Sequence, residues 1–583
     1  MNHIIYKLTK MKKLTYLLII LFTFGCADLD LLPTDMIGEE AVKKDPQLVE
    51  AFLTKIYANA VFEPNEDGVK QGQERLTDAV VGGEYTLMAP WQNAVKASYN
   101  IPTSSGAHIN LNRWHYGNIR SCNEIIDILN SASFDPQIIK QQIAEVKFLR
   151  AWMYFDMAKR YGGMPLEITA KPVDSSADEL MIPRSTLQAT YDQIISDLDA
   201  ASTDLPGTVI YGKASKWAAR ALKSRVALYA ARIAKYHPQS SNGLTSIPAG
   251  SADAYYLLAF QSANAVIDAG KHPLHSGADN EKAFGEIFYK VKGISEVIFS
   301  EEYNTALGKT HAWSGYALPD GFKAGWGSNM HMYVASDARF EYQDGSAGDK
   351  HHAKFDNKTW FDIEEVVYKK DPRYLATLFT PEDVFQGREV WFHDNTVGSG
   401  SKLGRAGNVV PKRAPGRNRN RGGRLLQKRI HPDVEFPAFG TDDVDYIILR
   451  TGEQYLNGSE AAFELGRMDT AKGLLNTLRA RVDMPAKTTL TLDLIKNERF
   501  VELYAENHRY WDLRTWKDAE AELHLTAKFG TKWYRRASDG MYKAKKWKWN
   551  FSQNTPFLPK MYWLPYGTNR LAQNPNLIEN PGY

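Results

Sequence analysis

Glu498, Glu502 and Glu506 recur every fourth residue in IKNERFVELYAENHRYWD, which places the three carboxylates on one face of a helix. Paired carboxylates are the equipment of a glycosidase, in which one acid donates a proton while the other serves as base or nucleophile. Arg499, Arg509 and Arg514 stand close by in sequence, however, and would hold these acids ionised, whereas a proton donor needs a raised pKa. The stretch therefore reads as a structural salt-bridge network, and a secreted hydrolase using Glu498 and Glu502 is the alternative. His351 and His352 are adjacent in GDKHHAKFD and point to opposite sides of an extended chain. Asp442, Asp443 and Asp445 lack the glycine and terminal glutamate of an EF-hand loop. Glycine-rich phosphate loops, HExxH and GxSxG elements are missing from the sequence. No catalytic residue, metal or cofactor is expected.

A different chemistry suits the aromatic residues. A pyranose ring offers an apolar C–H face and a rim of hydroxyls, so exposed indole and phenol rings beside amide side chains hold it without any pKa tuning. Trp91 and Asn93 lie among turn formers in GGEYTLMAPWQNAVKASYN, and Trp313, Tyr316 and Trp326 lie in the glycine-punctuated HAWSGYALPDGFKAGWGSN. These five are the candidate glycan-binding residues; the competing reading has them filling gaps between loop and scaffold. Trp152, Trp217, Trp511 and Trp516 are read as core. Between Lys402 and Arg429 the sequence carries ten basic residues and no acid. Arg417, Arg419 and Arg421 within it are candidate contacts for a polyanion such as a uronic-acid or sulfated glycan, with a solvated loop or a protein contact as the other readings.

The elements that must position these residues are mostly helical. EVKFLRAWMYFDMAKRYGGMPL sets Phe148, Ala151, Trp152 and Phe155 on one apolar face and stops at Gly162-Gly163. GKASKWAARALKSRVALYAA repeats the pattern through Ala218, Ala221, Leu222, Val226 and Tyr229. Further helices are predicted near 45–60, 115–130, 186–201, 252–269, 452–465, 468–482 and 492–506. Paired helices rich in Ala, Leu and Tyr suggest degenerate tetratricopeptide-like units. From about 300 to 450 the pattern gives way to Gly, Asn, Asp and Trp with short strand-like runs, a stretch long enough to carry function on a rigid frame.

At the other end, Lys7, Lys10, Lys12 and Lys13 precede the apolar run Leu14–Phe24, which is too short to span a bilayer and ends at Gly25-Cys26. Translation starts at either Met1 or Met11. A small residue before cysteine resembles the lipobox of bacterial lipoproteins, with Cys26 as the acylated residue; Asp28 and Asp30 resemble the surface-export tag of Bacteroidetes lipoproteins. The formal charge of +3 over 583 residues falls just below neutral once the four lysines leave, which removes the electrostatic case for nucleic-acid binding. Cys122 is then the one thiol left, too few for an internal disulfide, and is read as a buried apolar residue on a helix.

Nine segments in order resemble the SusD/RagB family: GCADLDLLPTD, EVKFLRAWMYFDMAKRYGGMPL, PRSTLQATYDQIISDLDAASTDLP, GKASKWAARALKSRVALYAA, KKDPRYLATL, ILRTGEQYLNGSEAA, LRARVDMP, IKNERFVELYAENHRYWDLRTW and QNPNLIENPGY. The resemblance implies a mainly α fold: a tetratricopeptide-like scaffold with a loop-rich, irregular second half packed on it. It implies a signal peptide at 1–25, a helical region at 26–300, and a loop-rich and C-terminal helical region at 301–583, in one body. It also implies an outer-membrane surface lipoprotein that binds glycan through loops such as those bearing Trp91 and Trp313, and that covers a TonB-dependent SusC-like transporter. A RagB-like peptide binder is the further alternative. Leu564-Pro565-Tyr566 departs from the usual Pro-Ile-Pro, and residues from about 300 to 430 match no fixed pattern, which leaves the ligand open.

Overall fold

The structure, a computed structural model, describes residues 38–62, 77–81, 111–172, 174–319, 322, 331–390, 392–397, 423–435, 437–438, 440–524, 526, 528–548 and 557–583. The signal segment and Cys26 lie outside the described residues. Helices α1 (Pro46–Asn59) and α3 (Pro136–Tyr161) each begin on an aspartate, Asp45 or Asp135, whose carboxylate accepts the N–H two residues on. Proline follows at the first helical position, where no N–H is needed. α2 (Tyr116–Asn130) lies between them. α4 (Leu187–Asp204) and α5 (Lys216–Tyr236) start on Thr186 and Ser215 caps, and α6 (Ala252–Ile267) follows.

Each of these helices packs on its predecessor from α2 to α6. α7 (Thr451–Glu464) then packs on α6, and α8 (Met468–Ala480) on α7, so the stack resumes after a long excursion of the chain. α9 (Leu492–Glu502) lies against α7, and α10 (Arg509–Thr515) against α5. The fold is mainly α, as the periodicity and the resemblance both predict.

α3 departs from its expected form. Instead of one apolar face, nearly every side chain from Ala144 to Tyr161 is buried, charged ones included. Those charges are paired inside: Arg150 forks onto Asp197 at 2.7 and 2.8 Å, and Arg160 and His115 both meet Asp156. The helix ends where Gly162 turns to φ +85°, a conformation that L side chains rarely adopt. The freed carbonyls are then claimed by distant residues. Arg184 donates to the Tyr161 and Gly163 carbonyls and to the Asn580 side chain, while Asn580 donates to the Tyr161 carbonyl. The terminal ENPGY thereby clamps the middle of the helical stack.

The excursion and the C-terminal part build a second hydrophobic core around Trp313, Phe340, Tyr374, Phe379, Phe500, Tyr504 and Trp533. The short strands are β1 (Val80–Val81), β2 (Val297–Glu301), β3 (His331–Met332), β4 (Leu378–Phe379), β5 (His393–Val397), β6 (Leu425–Leu426), β7 (Tyr446–Arg450), β8 (Phe529–Arg536) and β9 (Tyr542–Lys548). One sheet has the order β1-β3-β6-β4, another the order β9-β8-β5, and β2 pairs with β7. The β2–β7 pair links residues 297–301, just before the excursion, to the strand that leads back into α7.

Candidate functional site

The four-stranded sheet carries a geometry that matters for ligand binding. Val81 is in register with His331, and His331 with Leu425. Val81 leads into 82–110, which holds Trp91 and Asn93; His331 closes 323–330, which holds Trp326; Leu425 follows 398–422, which holds Arg417, Arg419 and Arg421. Val81 and His331 therefore stand side by side where 82–110 leaves the sheet and 323–330 enters it, whereas β6 runs antiparallel to β3 and the chain reaches Leu425 past Arg424, whose carbonyl accepts from the Met332 N–H at the other end of that pair. The six candidate residues themselves lie outside the described residues.

Trp313 and Tyr316 are described, and they correct the expectation of an exposed loop. Residues Trp313–Ala317 form a short helix. The Ser314 N–H donates to the Asp442 carboxylate at 2.8 Å, and the Trp313 indole donates to the Lys428 carbonyl at 2.7 Å. The Arg429 guanidinium lies 4.8 Å from the Trp313 ring centroid, and the indole is only 5% exposed. A ring covered by a guanidinium, hydrogen-bonded at its edge and buried in the second core offers no platform to a sugar. Tyr316 is half-buried against the second core. The partners that draw Trp313 inward come from residues 428–442, and nothing near it in sequence announces them.

The same finding divides the basic run. Arg424 pairs with Asp337 at 3.1 Å, Lys428 donates to the Tyr504 carbonyl and Glu506, and Arg429 stands between Trp313 and Tyr446. All three are buried. The end of the run, from 423 to 429, is structural cation.

The glutamate row is a buried ion network. Both carboxylate oxygens of Glu502 accept from Arg481 at 2.6 Å, one of them also from Arg450 at 2.7 Å and the other from Arg373 at 3.0 Å. Glu498 pairs with Arg373 and Arg479 at 2.6 and 2.7 Å, and Glu506 with Arg450 and Lys428 at 2.7 Å. Glu296 joins through Arg450 and Arg481. Burial alone would push the Glu502 carboxyl up, but Arg481, Arg450 and Arg373 outweigh it and hold the pKa well below the usual carboxylate range. A carboxylate in that state donates no proton at neutral pH. The expected arginines are not the ones used: Arg499 serves Asp512, Arg509 serves Asp78, and Arg514 meets Tyr510 and the Tyr562 carbonyl. Sequence proximity named the wrong partners because the network closes through tertiary contacts.

The remaining candidates are structural. His352 meets Asp337 at 2.6 Å, and His351 packs on the Tyr342 ring. Asp442 holds Ser314, Asp443 accepts from Thr305, and Asp445 accepts from Tyr211 and the Tyr303 N–H. Among the described residues no group of three His, Cys, Asp or Glu side chains is placed to hold a metal ion. Burial pushes the Cys122 thiol up to about 12, the state of an inert core residue. A cavity of about 50 Å³ lies between α3, α5 and α10, lined by Asp156, Lys159, Arg225 and Trp511. That volume is of the order of a few water molecules. Among the described residues no helix is long and apolar enough to cross a membrane.

A mainly α stack carries a second, irregular lobe with its own core. The family described as the SusD family matches residues 295–583, and the one described as "Starch-binding associating with outer membrane" matches residues 29–228. The chain belongs to the SusD/RagB family. It is 25% identical over 403 residues to a SusD-like protein, P38, of Formosa agariphila, covering 66% of this chain and 68% of that one. The crystal structure of a SusD-like protein from Bacteroides fragilis superposes with a TM-score of 0.71 at 23% identity, covering 95% of this chain and all of the other. That of a SusD-like carbohydrate-binding protein from the same species gives 0.68 at 19% identity, covering 92% and 99%.

Proposed function

We propose that this protein is a non-enzymatic cell-surface lipoprotein, acylated at Cys26, that captures oligosaccharides or polysaccharides and delivers them to a SusC-like TonB-dependent transporter. The ligand contacts in this reading are Trp91, Asn93 and Trp326, with Arg417, Arg419 and Arg421 selecting an acidic glycan. Tyr316, half-buried, remains a candidate contact, and Trp313, buried, drops out of the set. The observation that carries the reading is the register of Val81 with His331, which brings the described ends of 82–110 and 323–330 side by side, with Leu425, which follows 398–422, on the next strand. Family membership supplies the ligand class, since one matching family is described as starch-binding and associating with the outer membrane.

Affinity gel electrophoresis of the mature protein against neutral, uronic and sulfated polysaccharides tests it. Retardation by at least one glycan is expected, with Trp91→Ala and Trp326→Ala each weakening it roughly tenfold. Equal retardation of both variants and the parent would refute the site; no retardation by any glycan would refute the function.

A further inference from the structure

The β8–β9 hairpin has two unlike faces. Its register pairs Trp533 with Ala544, Lys532 with Lys545, Tyr534 with Lys543 and Gly530 with Trp547. Because side chains alternate along a strand, Trp533, Tyr542 and Ala544 turn into the second core, where all three are fully buried. Lys532, Tyr534, Arg536, Lys543, Lys545 and Trp547 occupy the opposite face.

A third segment extends that face. Phe361 exchanges backbone hydrogen bonds with Tyr542 at 2.8 and 2.9 Å, which fixes Trp360 beside Lys543 at the hairpin's edge. The Arg536 guanidinium lies 4.6 Å and the Lys543 ammonium 5.1 Å from the Trp360 centroid; Lys543 is also 5.3 Å from Tyr534, and Lys532 5.1 Å from Trp547. The three rings are half-buried, and Lys545 and Lys546 are exposed.

The charge on this face is lopsided. Asp539 pairs with Arg536 at the hairpin turn, and Asp356 is engaged by the N–H groups of Lys358 and Thr359. Among the described residues no carboxylate comes within ion-pair distance of Lys543 or Lys545. Placing Lys532 directly across from Lys545 costs stability, since like charges opposite one another on a sheet face repel. The core face of the hairpin gains nothing from that arrangement. A ligand that brings negative charge and a flat apolar face would relieve the repulsion and use the rings at once.

We propose that the outer face of the β8–β9 hairpin, with Trp360 at its edge, is a second binding surface, and that its ligand is a polyanionic glycan bearing carboxylates or sulfates. Sugar C–H faces stack on the surface of Trp360, Tyr534 and Trp547 that their neighbouring cations leave open, and Lys532, Lys543 and Lys545 meet the acidic groups as point charges. The inference rests on the glycan-capture reading for its ligand class, but it uses none of the residues named there.

The test compares the mature protein with Lys543→Ala/Lys545→Ala, with Lys543→Arg/Lys545→Arg and with Trp360→Ala. Dextran sulfate, polygalacturonate, uncharged dextran and a single-stranded DNA oligomer are the probes, at low and high salt. Lys545 is exposed and Lys543 half-buried with no ion pair among the described residues, so the alanine variant is expected to melt close to the parent. Its affinity for the two acidic polymers is expected to fall roughly five- to tenfold, with restoration by the arginine pair and a weaker salt dependence. Trp360→Ala lowers affinity for the same polymers. Acidic-glycan binding by the parent that all three variants match would overturn this inference and leave the first site standing. So would a parent that binds only uncharged glycan. Equal binding of the DNA oligomer would overturn the glycan assignment in favour of a general polyanion surface, and failure to bind any glycan in the wider panel would remove the function on which both sites depend.

Discussion

A carboxylate that is to protonate a leaving group must hold its proton near neutral pH, and Glu502 sits among three guanidiniums that forbid it. The same residue shows why such networks persist. Bringing these charges together in a buried place contributes little net stability, yet removing one member strands the others. Glu502→Gln preserves the side chain's shape and one acceptor oxygen while deleting the charge that Arg481, Arg450 and Arg373 share. It is expected to cost about 3–5 kcal/mol, read as a lowered urea midpoint. A variant that unfolds with the parent but loses activity on a glycan would restore the catalytic reading. Glu502 also explains which stretches of the sequence are recognisable. Arg373 of KKDPRYLATL, itself held by Asp371, Arg450 of ILRTGEQYLNGSEAA and Arg479 and Arg481 of LRARVDMP converge on Glu498, Glu502 and Glu506 of IKNERFVELYAENHRYWDLRTW. Those family-like segments are the members of one buried ion network.

At the scale of the element, the apolar spacing of Phe148, Ala151, Trp152 and Phe155 was enough to place α3, and Ala218 to Tyr229 enough to place α5, because helical periodicity is local. The stop at Gly162-Gly163 was legible too, though its reason was not. A Cβ at Gly162 would meet the Leu244 carbonyl at 2.4 Å, and one at Gly163 the Ser185 carbonyl at 2.1 Å. The glycines therefore end the helix and also admit two other backbones. Gly162→Ala is expected to destabilise the protein by about 2 kcal/mol or more, through both the positive φ and the contact, with an unchanged denaturant m-value. A neutral effect would mean the Leu244 segment yields. What periodicity could not reach is the interior of the second lobe. Trp313, flanked by small and polar residues in HAWSGYALPD, looks like a loop residue, and only Lys428, Arg429 and Asp442, more than a hundred residues away, make it core. The hairpin's binding face escaped for a related reason. KWYRRASDGMYKAKKWKW reads as scattered charge and aromatic until the register pairs Lys532 with Lys545 and brings Trp360 alongside.

For the whole molecule, the buried charges set how stability depends on pH. Burial raises the carboxyl pKa of Asp78, Asp337 and Glu502, but their basic neighbours prevail and leave all three below the ordinary range. The stability they contribute is complete above the unfolded carboxylate pKa and disappears as pH falls through the folded values. Burial brings His237 down to about 4, so between there and the ordinary histidine value the unfolded chain binds more protons, and stability rises with pH. The lysines extend the slope. Burial lowers Lys159 to about 7 and Lys370, Lys428 and Lys528 to about 8, against 10.5 in the unfolded chain. From pH 7 to about 10 the unfolded state again holds the extra protons, and the folded state gains. Above the ordinary tyrosine value of 10.0 the sign reverses, since burial raises Tyr191, Tyr229 and Tyr256 and only the unfolded phenols ionise. Burial also raises Glu281 to about 7 and Asp383 to about 6, which opposes the histidine contribution between pH 4 and 7. The urea midpoint is therefore expected to climb from pH 7 to a maximum near pH 9–10 and then fall, with Lys159→Met flattening that limb. The network also crosses between the helical stack, through Arg450 and Glu502, and the irregular lobe, through Arg373 and Lys428. Each midpoint should accordingly be a single transition by both circular dichroism and tryptophan fluorescence. A midpoint flat from pH 7 to 9.5 would show that the buried lysines keep ordinary proton affinities in the folded protein, and two separated transitions would show that the shared ions do not couple the two cores.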